Sequence, residues 1–363
     1  MSQTTPPLSS LPLIEDPRPW AFTKAELTAG LRRYTGNPTL SITDLRDGEI
    51  TQQRSSMGRI RGLEVKTESR AGSQNYSFVL KEPQGINRAG TAGVGLREVS
   101  FYRIMRDHVP VHLPQLLAAH PNGDWLVLEK LPLGRRLSKW RAQDYLLATD
   151  QIAALHDRFW KLGEDLVIYT WLARPLSADL PIHKQAALYG AQRLASLSPA
   201  TMLSEDQELL HLAERLVDNI EFISKQLTSL PSTLLHGDYW PGNIYVNKDS
   251  SLSVFDWEHA GIGPGVLDLV YFIKASRWYL DPLPIEDEEI TRHYREQIYK
   301  ANGHTWTDDE WQADWDFALL WIFLTQWIDL LASIPNSVLV TRLPQLESLW
   351  ITPVRQAGSH RLK

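Results

Sequence analysis

A change of periodicity near Pro132 constrains the fold of this chain more than any other feature. From Leu40 onward, "LSITDLRDG", "RIRGLEVKTES" and "NYSFVLKEP" are short β-prone runs parted by Gly, Ser and Asp, the pattern of an antiparallel meander. "GINRAGTAGVG" reads as a glycine-rich loop, "LREVSFYRIMRDHV" has the apolar spacing of a helix, and "WLVLEKL" returns to a strand. Past Pro132 the apolar residues recur every three to four positions, as in "DYLLATDQIAALHDRFWKL", "EDQELLHLAERLVDNIEFISKQL" and "GVLDLVYFIKASRWYL". Thr23 and Glu26 have capping-box spacing, so a helix opens the ordered chain. The expected architecture is α+β in two lobes. A flexible leader (1–20) precedes a small antiparallel-sheet N-lobe (21–131) and a larger, mainly helical C-lobe (132–363), with a cleft between them as the favoured ligand site.

Composition removes several function classes. At 363 residues the chain is too long for one small core, so two packed units are the default. A net charge of −6 argues against a nucleic-acid-binding face. With no cysteine, disulfides, thiolate nucleophiles and zinc-thiolate sites are excluded. The start, "MSQTTPPLSSLPLIEDPRPW", has neither the basic nor the apolar region of a secretory signal. "FALLWIFLTQWIDLLASI" approaches membrane-spanning length, but Gln326 and Asp329 interrupt it and an acidic run leads into it, so it reads as a core helix. A cytoplasmic location without membrane or nucleic-acid partners is the expectation, and nothing in the sequence sets the oligomeric state.

The chemistry concentrates in "HGDYWPGNIYVNKDSSLSVFDWE", residues 236–258. "NIYVN" and "LSVFD" alternate as strands around a four-residue turn, "KDSS". Closing the hairpin at Asn247 and Leu252 sets Asn243 directly opposite Asp256, with Cα atoms roughly 5 Å apart. An amide and a carboxylate at one end of a hairpin suit Mg²⁺, and Asp238, just before the first strand, faces the same point. The spacing His236, Asp238, Asn243 is that of the kinase catalytic loop, H-R-D-x-x-x-x-N, and Asp256 stands where a kinase keeps its metal-binding aspartate. The other kinase parts follow in order upstream. Lys81 of "FVLKE" stands on a predicted strand where a kinase keeps the lysine that holds the nucleotide phosphates, and Glu98 of "LREVSFY" is suited to pair with it. Glu129, Lys130 and Leu131 are placed where a kinase hinge would bind adenine. Lys66, one strand earlier, is a competitor that reads better as a solvated strand lysine.

Taken together, these stretches resemble the aminoglycoside phosphotransferase and choline kinase-like family, which has a protein-kinase-like fold. "VPVHLPQLL", "IAALHDRFW" and "GIGPGVLDLVYF" add to the likeness, which runs from about Arg54 to Phe272. It implies a small-molecule kinase that uses ATP (or GTP) and Mg²⁺. Asp238 would act on the acceptor hydroxyl, Asn243 and Asp256 would bind metal, and Asp268 would brace the catalytic loop's backbone. His236 is assigned to fixing the loop through hydrogen bonds, and Ser55, Ser56 and Gly58 of "QRSSMGRIRG" to covering the phosphates. Glu258 is open between a metal or substrate contact and a plain surface position. Gly237 replaces the kinase arginine, and no A-P-E follows Asp256, so a small-molecule acceptor is favoured over a protein. That acceptor is of aminoglycoside, amino-alcohol or sugar type. The alternatives are a nucleotide-binding pseudokinase or scaffold and, less favoured, a protein kinase.

Overall fold

The structure is a computed structural model that describes residues 19–49, 58–83, 93–132, 134–196, 207–333 and 335–362. Thr23 caps α1 (Lys24–Thr35) through the full capping box with Glu26. The N-lobe sheet has the order β1-β2-β3-β5-β4 and is antiparallel throughout. Its strands are β1 (Ser41–Gly48), β2 (Gly58–Ser69), β3 (Gly72–Pro83), β4 (Leu116–Ala119) and β5 (Leu126–Glu129). β3 lies centrally, with Lys81 opposite Ile60 on one side and Leu126 on the other. Alternation along β3 sends Phe78 and Leu80 into the lobe's core with Leu27, Leu31, Leu63 and Trp125. Val79 and Lys81 therefore face the other way, into the cleft. α2 (Val94–Ser100) continues into a π-turn at Phe101–Met105, whose Phe101, Tyr102 and Met105 join the C-lobe core rather than the N-lobe core.

The C-lobe is helical apart from two short ribbons. Its helices are α3 (Ala142–Arg158), α4 (Gly163–Leu166), α5 (Leu180–Ala195), α6 (Gln207–Asp218), α7 (Ile220–Thr228), α8 (Val266–Leu280), α9 (Asp287–Asn302), α10 (Asp308–Ile322), α11 (Ile328–Leu331), α12 (Asn336–Leu346) and α13 (Thr352–Arg361). Within the apolar stretch, residues 317–331 form the end of α10, a π-turn at Phe323–Trp327 and α11, mostly buried within the lobe. Among the described residues no helix is long and apolar enough to cross a membrane. One ribbon pairs β6 (Ser232–Leu235) with β9 (Gly261–Pro264), and the other pairs β7 (Ile244–Val246) with β8 (Leu252–Val254).

Candidate active site

Strand β6 delivers the chain from the core into the loop 236–243. Gly237 takes φ 81°, and a Cβ there would lie 2.3 Å from the His259 carbonyl oxygen, so only glycine fits where a kinase has arginine. His236 is fully buried. Its Nδ1 accepts the Asp238 N–H at 3.2 Å, which leaves the ring proton on Nε2 for the Phe255 carbonyl at 3.0 Å. Burial holds this imidazole below the ordinary histidine pKa, which keeps it neutral and preserves the two bonds.

Asp268, in the first turn of α8, takes both backbone donors of the loop's start. Its Oδ2 accepts the His236 N–H at 2.7 Å and its Oδ1 the Gly237 N–H at 2.9 Å. His156 Nε2 stands 3.3 Å from the same Oδ2, and His156 Nδ1 is 2.9 Å from the Tyr294 hydroxyl. A buried chain thus runs from α9 through α3 and α8 to the loop. One residue beyond Gly237, Asp238 is held by Asn243, whose Nδ2 donates to the Asp238 carbonyl at 2.9 Å and to its Oδ2 at 2.8 Å. The Tyr271 hydroxyl also hydrogen-bonds this carboxylate. Burial and then the charge of Asp256 push Asp238 up to about 7, while the bonds from Tyr271 and Asn243 pull the other way.

The hairpin register differs from the expected one by a residue. Asn247 and Ser251 close it, Ser250 takes φ 67°, and Ile244 pairs with Val254. A three-residue turn with a left-handed third residue matches strand twist better than the four-residue turn assumed from "KDSS". Asn243 consequently faces Phe255, whose N–H donates to the Asn243 carbonyl at 3.1 Å, and not Asp256. Asp256 lies one position farther on, in the left-handed conformation (φ 68°, ψ 58°). That turn of the backbone, and not cross-strand pairing, aims its side chain into the cleft that Asn243 also lines.

Lys81 ends in a cage of carboxylates. Its Nζ lies 2.7 Å from Glu98 Oε2 and 2.7 Å from Glu258 Oε2, and it also contacts Asp256 Oδ1. Burial alone would depress the ammonium, but the three acids override it and hold Lys81 well above its ordinary value. Burial raises Glu98 and Glu258; it is the largest single influence on Asp256 too, but there the adjacent ammonium, with His259 and His236, lowers the group on balance. Three carboxylates around one ammonium leave surplus negative charge in a buried place, and Glu98 Oε1 has no hydrogen-bond partner there. Among the described residues, Glu98, Asp256 and Glu258 are the one group of three acidic or ring ligands whose oxygens gather within 4.8 Å. The Lys81 ammonium fills that space, so of the three acids Asp256, the most exposed of them, is the one with oxygen to offer a hard divalent cation in the cleft. Asn243 adds an amide oxygen whose Nδ2 partner is already engaged.

Two neighbours fix this cage to the C-lobe. Arg97, buried beside Glu98, donates to the Glu258 carbonyl at 2.7 Å and to the Trp171 carbonyl at 3.1 Å. Phe101 stacks on Trp257 at 3.9 Å between ring centroids. Glu258 is 3% exposed, which excludes the surface position left open for it. Lys66 is exposed on β2, as a solvated strand lysine should be.

The cleft, about 1260 Å³, includes an apolar slot lined by Ile60, Val79, Leu128, Leu131, Ile244 and Phe255. Glu129 and Leu131 line it. Lys130 does not: its ammonium turns outward to the Glu49 carbonyl at 3.0 Å and to Glu64, leaving only its backbone for a ligand. Ser55 and Ser56 lie outside the described residues, and Gly58 opens β2 opposite Pro83. Sequence reasoning missed Arg97, Tyr271, His156 and Tyr294. Tyr271 had a readable signal, being three residues after Asp268 and so on the same helix face. His156 had none, because its contact to α8 crosses from α3.

Comparison with known proteins follows the same lines. A family model described as "Phosphotransferase enzyme family" matches residues 64–313, well over half of the chain and past the Phe272 limit expected from the motifs. No curated protein matches the sequence. Among solved structures, an ethanolamine kinase of Plasmodium vivax is similar at 12% identity with a TM-score of 0.55, over 84% of this chain and 81% of that one. An amicoumacin kinase in complex with AMP-PNP, Ca²⁺ and Ami is similar at 16% identity with a TM-score of 0.50, over 82% and 86%. At these identities the likeness is one of fold.

Proposed function

The chain belongs to the phosphotransferase enzyme family, and from that premise we propose that it transfers the γ-phosphate of ATP (or GTP) to a hydroxyl of a small molecule, with Mg²⁺ at the reacting phosphates. The observation that carries the reading is convergence. Lys81 from β3, Asp238 and Asn243 from the loop 236–243, and Asp256 from the turn after β8 all open on one cleft between the lobes.

Lys81 holds the nucleotide phosphates, and its pairing with Glu98 and the Arg97 clamp fix its position before any ligand arrives. Residues 21–131 act as the nucleotide lobe, with the apolar slot taking the base and the backbone at Lys130 and Leu131 its edge. Asn243 through Oδ1 and Asp256 through its carboxylate would hold the metal, which when bound neutralises charge on the transferring phosphoryl group. Asp238 accepts a hydrogen bond from the acceptor hydroxyl and takes its proton as that oxygen bonds to the γ-phosphorus and the bond to ADP breaks. A basicity near 7 suits a group that must be ionised and still accept a proton. Positioning and charge neutralisation suffice for such a step, so the absence of cysteine is no obstacle. Residues 132–363 supply the acceptor side. β9 leads straight into α8, leaving no segment on which to dock a peptide, which supports a small acceptor.

The test is ADP release from Mg·ATP over a panel of hydroxylated metabolites and aminoglycosides. At least one acceptor should drive turnover in the wild type and none in Lys81→Ala. Thermal stabilisation by nucleotide without transfer to any acceptor would point instead to a nucleotide-binding scaffold.

A further inference from the structure

Glu258 is an acid without an assigned task in the site. Glu98 is the acid that positions Lys81 and Asp256 the one that turns to the metal, yet Glu258 sits in the same cage, 3% exposed. The chain holds it there firmly. Residues 257–259 form a single 3-10 turn. Trp257, fully buried and stacked on Phe101, anchors the start of that turn and donates from Nε1 to the Val254 carbonyl at 3.3 Å. Arg97 grips the Glu258 carbonyl at 2.7 Å. Pinned in this way, the side chain cannot trade Lys81 for water without breaking the packing around it.

The three carboxylates do not share Lys81 equally. Its Nζ donates to Glu258 Oε2 at 2.7 Å and to Asp256 Oδ1, while Glu98 Oε2, also 2.7 Å away, pairs with it by charge without a hydrogen bond. The lysine thus leans on the turn after β8 rather than on α2. A phosphate oxygen that approaches Lys81 competes for protons already engaged. It also meets negative charge. Arg97 is the other cation of the cage, but its Nε and Nη1 are committed to the Trp171 and Glu258 carbonyls, and Asp179 stands beside it. Burial keeps the His236 and His259 rings neutral. Against these two cations stand Glu98, Asp256, Glu258 and, facing the same cleft, Asp238. Like charges a few ångströms apart in a buried site repel strongly.

We propose that Glu258 makes nucleotide affinity depend on a divalent cation: it competes with the phosphates for Lys81, and Lys81 turns to them only when Asp256 has gone over to the cation. Of the three acids only Asp256 can change partner in this way. Its side chain is 21% exposed and faces the cleft, whereas those of Glu98 and Glu258 are 1% and 4% exposed. Glu258 is then a positioning residue, acting through Lys81 and touching neither phosphate nor metal. The inference rests on the assignment of Lys81 to the nucleotide phosphates.

Calorimetry reads the affinity of AMP-PNP in excess Mg²⁺ and in EDTA, with adenosine as a probe that carries no phosphate. In the wild type Mg²⁺ should tighten AMP-PNP at least about a hundredfold, and adenosine should bind alike in both buffers. Glu258→Gln keeps the shape and an acceptor oxygen but removes the charge. It should tighten metal-free AMP-PNP about tenfold, while affinity in Mg²⁺ and for adenosine stays within about twofold. Glu258→Met, of similar length and without a carboxylate, should give the same gain by a second route. A gain of affinity cannot arise from a loosened fold, which separates this role from a merely structural one. Wild-type affinity equal in Mg²⁺ and EDTA would overturn the proposal, as would metal-free affinity unchanged in both variants. So would a loss of affinity confined to Mg²⁺, which would make Glu258 a metal ligand. Those three results leave the kinase reading standing. Failure of both AMP-PNP and adenosine to bind under either condition would sink that reading and the inference with it.

Discussion

Replacing Asp268 by asparagine probes the support beneath the catalytic loop. The carboxylate is 1% exposed and accepts two backbone N–H groups, one on each oxygen. Asparagine retains one acceptor oxygen and presents an NH₂ to the second donor, so either His236 or Gly237 loses its partner and faces another N–H. A hydrogen bond to a charged group contributes about 1.5–3 kcal/mol, and leaving a buried donor unsatisfied costs a similar amount. The asparagine variant should therefore lose about 3 kcal/mol, and alanine, which frees both donors, about 5 kcal/mol. Urea unfolding followed by tryptophan fluorescence reads this as a lower midpoint at unchanged slope. Asp238 follows Gly237 directly, so the same change displaces the group that meets the acceptor. A misplacement of about 1 Å is enough for a hundredfold loss of rate, and kcat should fall by about that much while nucleotide affinity holds. His156 shares Oδ2 with this network, so His156→Ala and Asp268→Asn should be strongly non-additive. An asparagine variant as stable and as fast as the wild type would refute the bracing argument.

Three further outcomes follow from the same geometry. Tyr271→Phe removes a hydrogen bond that lowers the Asp238 pKa, so that pKa rises. Because the ionised form is the active one, the acid limb of the kcat/KM profile should move to higher pH, and a limb that stays put would contradict the contact. Burial lifts Asp238 above its unfolded value of 3.8, so ionising it costs stability as pH climbs from about 4 to about 7. Asp238→Asn should thus gain on the wild type in thermal stability across that window and keep a constant lead above it, in ligand-free protein. Chelation of divalent metal should abolish turnover, and Asp256→Asn should remove the Mg²⁺-dependent part of the melting-temperature shift given by AMP-PNP. A full shift in that variant would move the metal to other ligands.

Much of the fold and part of the site could be read from residues alone, for identifiable reasons. The three long strands of the meander alternate over enough residues to show their period, and Lys81 follows from its place on the last of them. Strand β4 escaped because "LLAA" is short and shows no alternation. Asn243 and Asp256 both line the cleft, but not through the expected cross-strand pairing. The turn's left-handed third residue sets a register that "KDSS" does not announce, since serine rarely takes φ 67°. Glu258 stayed open between a ligand contact and a surface position because its burial depends on α2 being clamped by Arg97, a contact between residues far apart in the chain. Lys130 looked like a hinge side chain, yet its neighbours Glu49 and Glu64 draw the ammonium outward. What local pattern misses throughout is which of several equally plausible side chains the second lobe will reach.

The sharpest measurement compares two numbers in one variant, Asp238→Ala: its affinity for Mg·AMP-PNP by calorimetry, and the transfer of labelled γ-phosphate from ATP to an acceptor found in the screen. The account predicts nucleotide affinity within about twofold of the wild type and transfer reduced at least a thousandfold. Phosphorylated acceptor appearing at the wild-type rate would mean that the loop carboxylate touches no reacting atom.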